Sequence, residues 1–76
     1  AELNIRRLVE NALISSASAV ILSHNHPSGI ALPSASDRQM TLQVRDALAT
    51  MGIRLTDHII VADDDFVSMA QSGLLQ

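Results

Sequence analysis

The sequence predicts an α/β fold in which a mixed sheet carries flanking helices. Residues 19–61 show a strand pattern, a helical pattern and a second strand pattern in that order, which favours two parallel strands joined by a right-handed crossover. Residues 59–69 show two strand patterns around three consecutive aspartates, which predicts a hairpin and therefore an antiparallel strand. With 76 residues, of which 47% are hydrophobic, the chain is one domain or a piece of one.

The first two predicted elements are a helix and a short strand. Residues 2–16 form the helix because apolar side chains recur on one face, namely Ile5, Leu8, Val9, Ala12 and Leu13. The apolar run Ala19–Leu22 follows a serine-rich break and is typical of a strand buried on both faces. A buried helical segment is the alternative, but the serines before the run and the Pro-Ser-Gly sequence after it leave too little length for one.

A second helix and a longer strand follow. Residues 35–51 are predicted to be helical from an apolar stripe made of Met40, Val44, Ala47, Leu48 and Met51. Gly52 stands just past the end, where a left-handed residue closes a helix at low steric cost. Residues 53–61 alternate with a period of two, which places Ile53, Leu55, Ile59 and Val61 on one face and Arg54, Thr56 and His58 on the other. Asp57 interrupts the apolar face and Ile60 interrupts the polar one.

The last part of the chain reads as a turn at residues 63–65, a returning strand at 66–69 and a terminal helical turn or frayed tail at 71–76. A sheet of three strands with two faces to cover is incomplete, so we expect it to continue in residues outside this chain. A domain this small is of marginal stability, and an exposed strand edge readily pairs with another chain. We therefore expect a homo-oligomer that forms through a sheet edge or through the apolar face of the first helix.

Composition and charge restrict the function. The net charge is −3, with five arginines and no lysine, and Phe66 is the single aromatic residue, which argues against nucleic-acid binding by this segment. No apolar run reaches membrane-spanning length and no signal peptide is visible, so a cytoplasmic setting is the default expectation. The chain has no cysteine, so a metal site would have to use histidines and carboxylates.

His24, His26 and Asp37 are the candidate metal ligands. Residues i and i+2 of a strand point to the same face, so the two imidazoles aim together from backbone positions roughly 7 Å apart. Asp37 lies in the first turn of the second predicted helix, after a turn at Pro27 to Gly29 that brings this helix close. Three protein ligands plus water describe a catalytic zinc site rather than a closed structural one.

Simpler interpretations exist for each of these residues. The two histidines are also compatible with polar residues that end a strand, and Ser34-x-x-Asp37 resembles a capping box with aspartate in place of glutamate. The joint occurrence of all four residues around a Pro-Gly turn favours the metal site. His58 is expected to be a hydrogen-bonded structural histidine, and the aspartates at 63–65 are expected to form a solvated turn rather than a cation loop.

The spacing of these residues also resembles a known family signature. His24-x-His26-Pro27, the seven residues from Pro27 through Pro33 and then Ser34-x-x-Asp37 resemble the JAMM (MPN+) metalloprotease motif. The runs 21–29 and 57–61 look like the RadC-type bacterial branch of that family, and the resemblance extends from residue 6 to residue 75.

This resemblance implies a mixed α/β fold related to the cytidine deaminases. It implies a zinc ion held by His24, His26 and Asp37, with Ser34 donating a hydrogen bond to the oxyanion of a tetrahedral intermediate. The implied activity is hydrolysis of an amide or isopeptide bond in a peptide or protein substrate. The RadC name also carries an association with DNA repair, which the acidic composition does not support.

One family feature is missing from the chain. The family's general base is a glutamate on a strand well upstream of the first helix, and the only glutamates here, Glu2 and Glu10, do not match that position. We therefore expect residues 1–76 to be the C-terminal part of a RadC-like JAB/MPN domain, or a copy truncated at the N-terminus. The alternative functions are a non-catalytic interaction domain that keeps the fold and, by family name alone, a DNA-repair accessory protein.

Overall fold

Residues 4–27 and 29–75, which a computed structural model describes, form two helices and a three-stranded sheet. The elements in chain order are α1 (Ile5–Ile14), β1 (Ala19–Asn25), α2 (Ala35–Thr50), β2 (Arg54–Ala62) and β3 (Asp65–Ser68). The strands lie in the order β1-β2-β3, with β1 parallel and β3 antiparallel to β2. The predicted α/β class, the mixed sheet and the hairpin are confirmed.

The two helices begin at residues that cap them. The Asn4 side chain accepts a hydrogen bond from the Arg7 backbone N–H, so α1 begins at Ile5, and predicted helical positions 2 and 3 lie outside the described residues. Ser34 caps α2, and Gly52 follows its end with a φ of 73°, as the sequence predicts. Neither helix is long and apolar enough to cross a membrane, within the ranges that the structure describes.

β1 is buried on one face only, which corrects the prediction of a strand covered on both sides. Val20 and Leu22 pack against a core made of Ala12, Val44, Leu48, Ile53 and Leu55, so both helices supply apolar side chains to the same face of the sheet. On the opposite face Ile21 is 64% exposed, because no described element covers it. An apolar run in the sequence does not by itself show whether other elements cover one face of the strand or both.

The predicted faces of β2 are also wrong beyond residue 55. Val20 pairs with Leu55 but Ile21 pairs with Asp57, so Thr56 is an extra residue in β2 and forms a bulge. The bulge exchanges the two faces for the rest of the strand. His58, Ile60 and Ala62 are consequently the buried residues, and Ile59 and Val61, predicted on the face of Leu55, are only half-buried.

Asp57, displaced by the bulge to the face away from the helices, fastens β2 to the end of β3. Its carboxylate accepts hydrogen bonds from the Ser68 hydroxyl and from the backbone N–H groups of Ala70 and His58. Burial alone would raise the pKa of Asp57, but these donors outweigh burial and hold the pKa below its usual value. The ionised carboxylate is therefore part of the folded structure.

We predict that the Asp57→Asn substitution lowers the free energy of unfolding at pH 7 by about 1–3 kcal/mol, because an amide cannot replace a carboxylate that accepts from three donors. Since the folded state depresses the pKa of Asp57, its stabilisation is complete above the ordinary aspartate pKa and is lost as the pH falls through the folded-state value. Urea unfolding across the acid range measures both effects. Asp64→Asn, in the exposed β2–β3 turn, is the matched control, and equal losses in the two variants would contradict the prediction.

Candidate metal centre

The two histidines at the carboxyl end of β1 point to the helix-covered face of the sheet. The backbone N–H of His26 donates to the Val61 carbonyl over 2.7 Å, so pairing with β2 continues one residue past Asn25, the last residue of β1. His24 and His26 therefore keep the alternation of a strand, and their ring centroids lie 4.7 Å apart with the planes nearly perpendicular. Asn25, between them, is exposed.

Asp37 reaches the two imidazoles from the first turn of α2. One carboxylate oxygen, Oδ2, lies 2.9 Å from His26 Nε2, and the other, Oδ1, lies 3.4 Å from His24 Nδ1. One potential ligand atom from each residue lies within 4.8 Å of the others. The structure thus brings together the three residues that the sequence predicted as metal ligands, and Asp37 itself is only 6% exposed.

The hydrogen-bonding state of the histidines fits a cation at this point. His26 Nδ1 donates to the Ile30 carbonyl over 3.0 Å, so a neutral His26 presents a bare Nε2 to the Asp37 carboxylate. His24 Nδ1 is buried and has no hydrogen-bond partner among the described residues. Zinc bonds of about 2.0–2.2 Å in tetrahedral geometry place neighbouring ligand atoms about 3.4 Å apart. The contacts of Asp37 with His24 and His26, at 3.4 and 2.9 Å, compare with this value.

The helix start that holds Asp37 is a capping box. The Asp37 backbone N–H donates to Ser34 Oγ over 3.0 Å, and the Ser34 backbone N–H donates to Asp37 Oδ2 over 2.9 Å. Burial alone would raise the pKa of Asp37, but the contacts with Ser34 and the two nearby histidines together hold it below its usual value. Asp37 is therefore ionised at neutral pH, as a metal ligand must be.

Ser34 caps helix α2, and its predicted role as a hydrogen-bond donor to an oxyanion stays a prediction. Its Oγ accepts the capping hydrogen bond, yet the residue is exposed and lies at the rim of the histidine cluster. A hydroxyl that accepts in this way still has its own hydrogen to donate to another group. The position is compatible with an oxyanion contact.

The turn between the ligands needs a glycine. Gly29 has a φ of 81°, and a Cβ atom at this position would lie 2.8 Å from Asp63 Oδ2 in the β2–β3 turn. Asp63, Asp64 and Asp65 are exposed, as the sequence predicts for a solvated turn. Glu10 is exposed on α1 and forms an ion pair with Arg6 at 3.1 Å, and Glu2 lies outside the described residues.

His58 and Thr41 form a buried polar layer behind the ligands. His58 is hydrogen-bonded and lies outside the group of potential ligands, in agreement with its predicted structural role. Burial lowers the pKa of His58 and the nearby His24 lowers it further, so His58 is neutral at pH 7. Sequence reasoning missed Thr41, although its spacing in the buried series Asp37, Thr41, Val44 and Leu48 was a usable signal.

Comparison with known proteins gives the same family that the sequence motif resembles. A family model described as RadC-like JAB domain matches residues 1–74. The chain is 53% identical over 68 residues to a UPF0758 protein of Stutzerimonas stutzeri, and the match covers 90% of this chain and 30% of that protein. It is 56% identical over 70 residues to UPF0758 protein Bpet3149 of Bordetella petrii, covering 92% of this chain and 31% of that protein. It is also 51% identical over 75 residues to UPF0758 protein Tgr7_0100 of Thioalkalivibrio sulfidiphilus, covering 99% and 33%. The chain thus spans about a third of the length of these relatives.

We predict that the protein binds one zinc ion per chain and that His24→Ala and His26→Ala each abolish this binding, because each removes one of three ligands. Elemental analysis of the purified variants measures the zinc content. Asn25→Ala is the matched control, since it lies between the two histidines with an exposed side chain and should leave the zinc content unchanged. Equal zinc in all four proteins would rule out the site.

Proposed function

Since the chain belongs to the RadC-like JAB domain family, we propose that the protein is a zinc-dependent hydrolase of the JAMM type that cleaves an amide or isopeptide bond. The observation that supports this most directly is the convergence of His24, His26 and Asp37 at the end of a strand, with potential ligand atoms within 4.8 Å of one another. When bound, zinc polarises a carbonyl group and makes water nucleophilic at neutral pH.

The three ligand side chains differ in their exposure to solvent. The His24 side chain is 39% exposed, whereas those of His26 and Asp37 are 15% and 8% exposed. In this proposal a peptide or protein carbonyl approaches from the side of the partly exposed His24 ring, whose buried Nδ1 faces Asp37. His26 is kept in the required tautomer by the Ile30 carbonyl, and Asp37 is kept ionised by Ser34.

Ser34 acts in this proposal as an oxyanion donor. Its Oγ is held by the Asp37 N–H, and the hydroxyl hydrogen remains available to donate to a substrate oxygen. A donor fixed in advance stabilises charge that develops on the carbonyl oxygen, because it needs no reorganisation during the reaction.

The proton transfer requires a base that the described residues do not provide. Glu10 is turned to solvent beside Arg6, on a helix that supplies no ligand. In the proposed enzyme the general base is a glutamate from another part of the full protein. This gap also favours the second candidate, a non-catalytic interaction domain that keeps the fold and the metal.

The remaining expectations about partners stay proposals. The exposed Ile21 and the β1 edge of the described sheet are surfaces on which a second copy of the chain would pair, which supports the expected homo-oligomer. The net charge of −3 gives no support to a nucleic-acid partner or to the DNA-repair role suggested by the family name. A cytoplasmic location is likewise proposed from the sequence alone.

We predict that the zinc-loaded 76-residue chain has little or no peptidase activity, whereas the full protein that contains it is active. General acid–base catalysis contributes about 10²–10⁴-fold, and residues 4–27 and 29–75 offer no group placed for it. Turnover of a panel of peptide and isopeptide substrates by both forms measures the difference. Cleavage by the short chain that persists in Glu10→Ala and disappears in His26→Ala would show that no such base is needed, and an inactive but zinc-bound full protein would favour the interaction domain.

We predict that Ser34→Gly lowers the kcat of the full protein by about 10²–10³-fold, the usual effect of losing one oxyanion donor. Glycine is chosen because it replaces a serine cap at a cost of only a few tenths of a kcal/mol, so helix α2 remains in place. Ser36→Ala, in the same helical turn and exposed, is the matched control. A kcat within a few-fold of the unsubstituted protein would assign Ser34 to capping alone.

A further inference from the structure

We propose that Thr41 and His58 are a positioning pair that fixes the orientation of two of the metal ligands, Asp37 and His24. The proposal rests on the zinc site described above and adds two residues that are not ligands. Thr41 lies on α2 and His58 on β2, so the pair connects the element that carries Asp37 to the strand beside His24.

The contacts of the pair run from one ligand to the other. Thr41 Oγ1 lies 2.6 Å from the Asp37 backbone carbonyl and 2.7 Å from His58 Nδ1. The His58 ring stacks on the His24 ring with a centroid distance of 6.1 Å and an angle of 22° between the planes. Thr41 is fully buried and His58 is 2% exposed, so water does not compete for these contacts.

Counting hydrogens defines the direction of the chain. A hydroxyl carries one hydrogen and a carbonyl oxygen carries none, so Thr41 donates to Asp37 O. Met69 Sδ, at 3.6 Å, is a weak and more distant acceptor for the same hydrogen. The contact with His58 must then be accepted by Thr41, which makes His58 Nδ1 the donor. His58 is therefore the Nδ1–H tautomer, and the plane of its ring is fixed by the bond to Thr41.

Stability does not account for a polar pair at this position. In β2, His58 lies between Leu55, which belongs to one apolar cluster, and Ile60, which belongs to another. Replacing both members of a buried hydrogen-bonded pair with apolar groups of similar shape is typically neutral or stabilising. What an apolar pair cannot do is hold a ring at a defined angle and bond a backbone carbonyl beside a ligand.

The expected effect on a metal is that of an outer partner of the ligands. Such partners orient the groups that bind the ion, and their loss typically costs about 10–100-fold in metal affinity. Asp37 loses one of its backbone restraints without Thr41, and His24 loses the fixed ring behind it without His58. Both changes loosen ligands rather than remove them.

The test compares four variants of the full protein that contains this chain: Thr41→Val, Thr41→Ser, the double variant Thr41→Val/His58→Phe, and Thr50→Val. Thr50 is the matched control because it lies on the same helix and donates to the carbonyl of Ala47 over 2.6 Å, but near the opposite end from Asp37. Zinc affinity is measured by competition with a chelator, Co²⁺ absorption reports the ligand geometry, and urea unfolding reports stability. Long-range ¹H–¹⁵N NMR of the metal-free protein reports the His58 tautomer.

We expect Thr41→Val to weaken zinc binding by at least about 10-fold and to shift the Co²⁺ spectrum. Thr41→Ser, which keeps the hydroxyl, and Thr50→Val should match the unsubstituted protein. If Thr41→Val does not fold, the double variant provides the test. It should regain stability, because no buried donor is left unpaired, and it should still bind zinc weakly. A purely structural pair would instead regain zinc affinity together with stability.

Unchanged zinc affinity and Co²⁺ spectrum in the double variant, or an Nε2–H tautomer at His58, would overturn the positioning role while leaving the zinc site intact. A full protein that takes up neither zinc nor cobalt would overturn the proposed function and the positioning role together.

Discussion

The carboxylate of Asp37 is the group on which the rest of the site depends. Each polar group of this residue has a defined neighbour: its N–H donates to Ser34 Oγ, its carbonyl accepts from Thr41, and its two carboxylate oxygens face His26 and His24. The same side chain also accepts the Ser34 N–H that starts α2. Helix start and metal ligand are therefore one arrangement, and neither can shift without the other.

The use of one carboxylate for both helix capping and metal binding suits a small domain. About 60% of the unfolded surface is buried in a chain of this size, which leaves little stability to offset an isolated buried charge. Asp37 avoids that cost because the donors that define a helix N-terminus also hold its negative charge. Along β2, His58 lies between Leu55 of the cluster around Leu48 and Ile60 of the second cluster.

Local sequence patterns predicted the parts of the structure that local forces determine. The alternation of a strand placed His24 and His26 on one face, the capping residue Ser34 located the start of α2, and Gly52 marked its end. The one-sided burial of β1 could not be predicted in this way, because it depends on which elements cover the sheet. The fold class and the group of three potential ligands were predicted from the sequence, and the two residues behind them were only partly anticipated.

The bulge at Thr56 shows why the faces of β2 beyond residue 55 could not be predicted from the sequence. Strand periodicity assumes that each residue has one partner, and a residue without a partner is visible only when the neighbouring strand is known. Without the bulge His58 would have faced away from Asp37, as its alternation with Leu55 predicted. Thr41 would then have lost its hydrogen bond with His58.

The bulge also sets a condition on how this sequence can change. Deleting Thr56 would restore a regular ladder and leave Asp57 and His58 on their present faces, because these two residues already pair with Ile21 and Leu22. Pairing the unchanged sequence without the bulge would instead set Asp57 opposite Leu22, on the face of the imidazoles, and Ser68 and Ala70 would lose their acceptor. The side chain of Thr56 is exposed, so many residue types are compatible with that position. In this strand the register after residue 55 is under stricter constraint than the identity of Thr56, and the loss of one residue preserves the two faces only at the bulge itself.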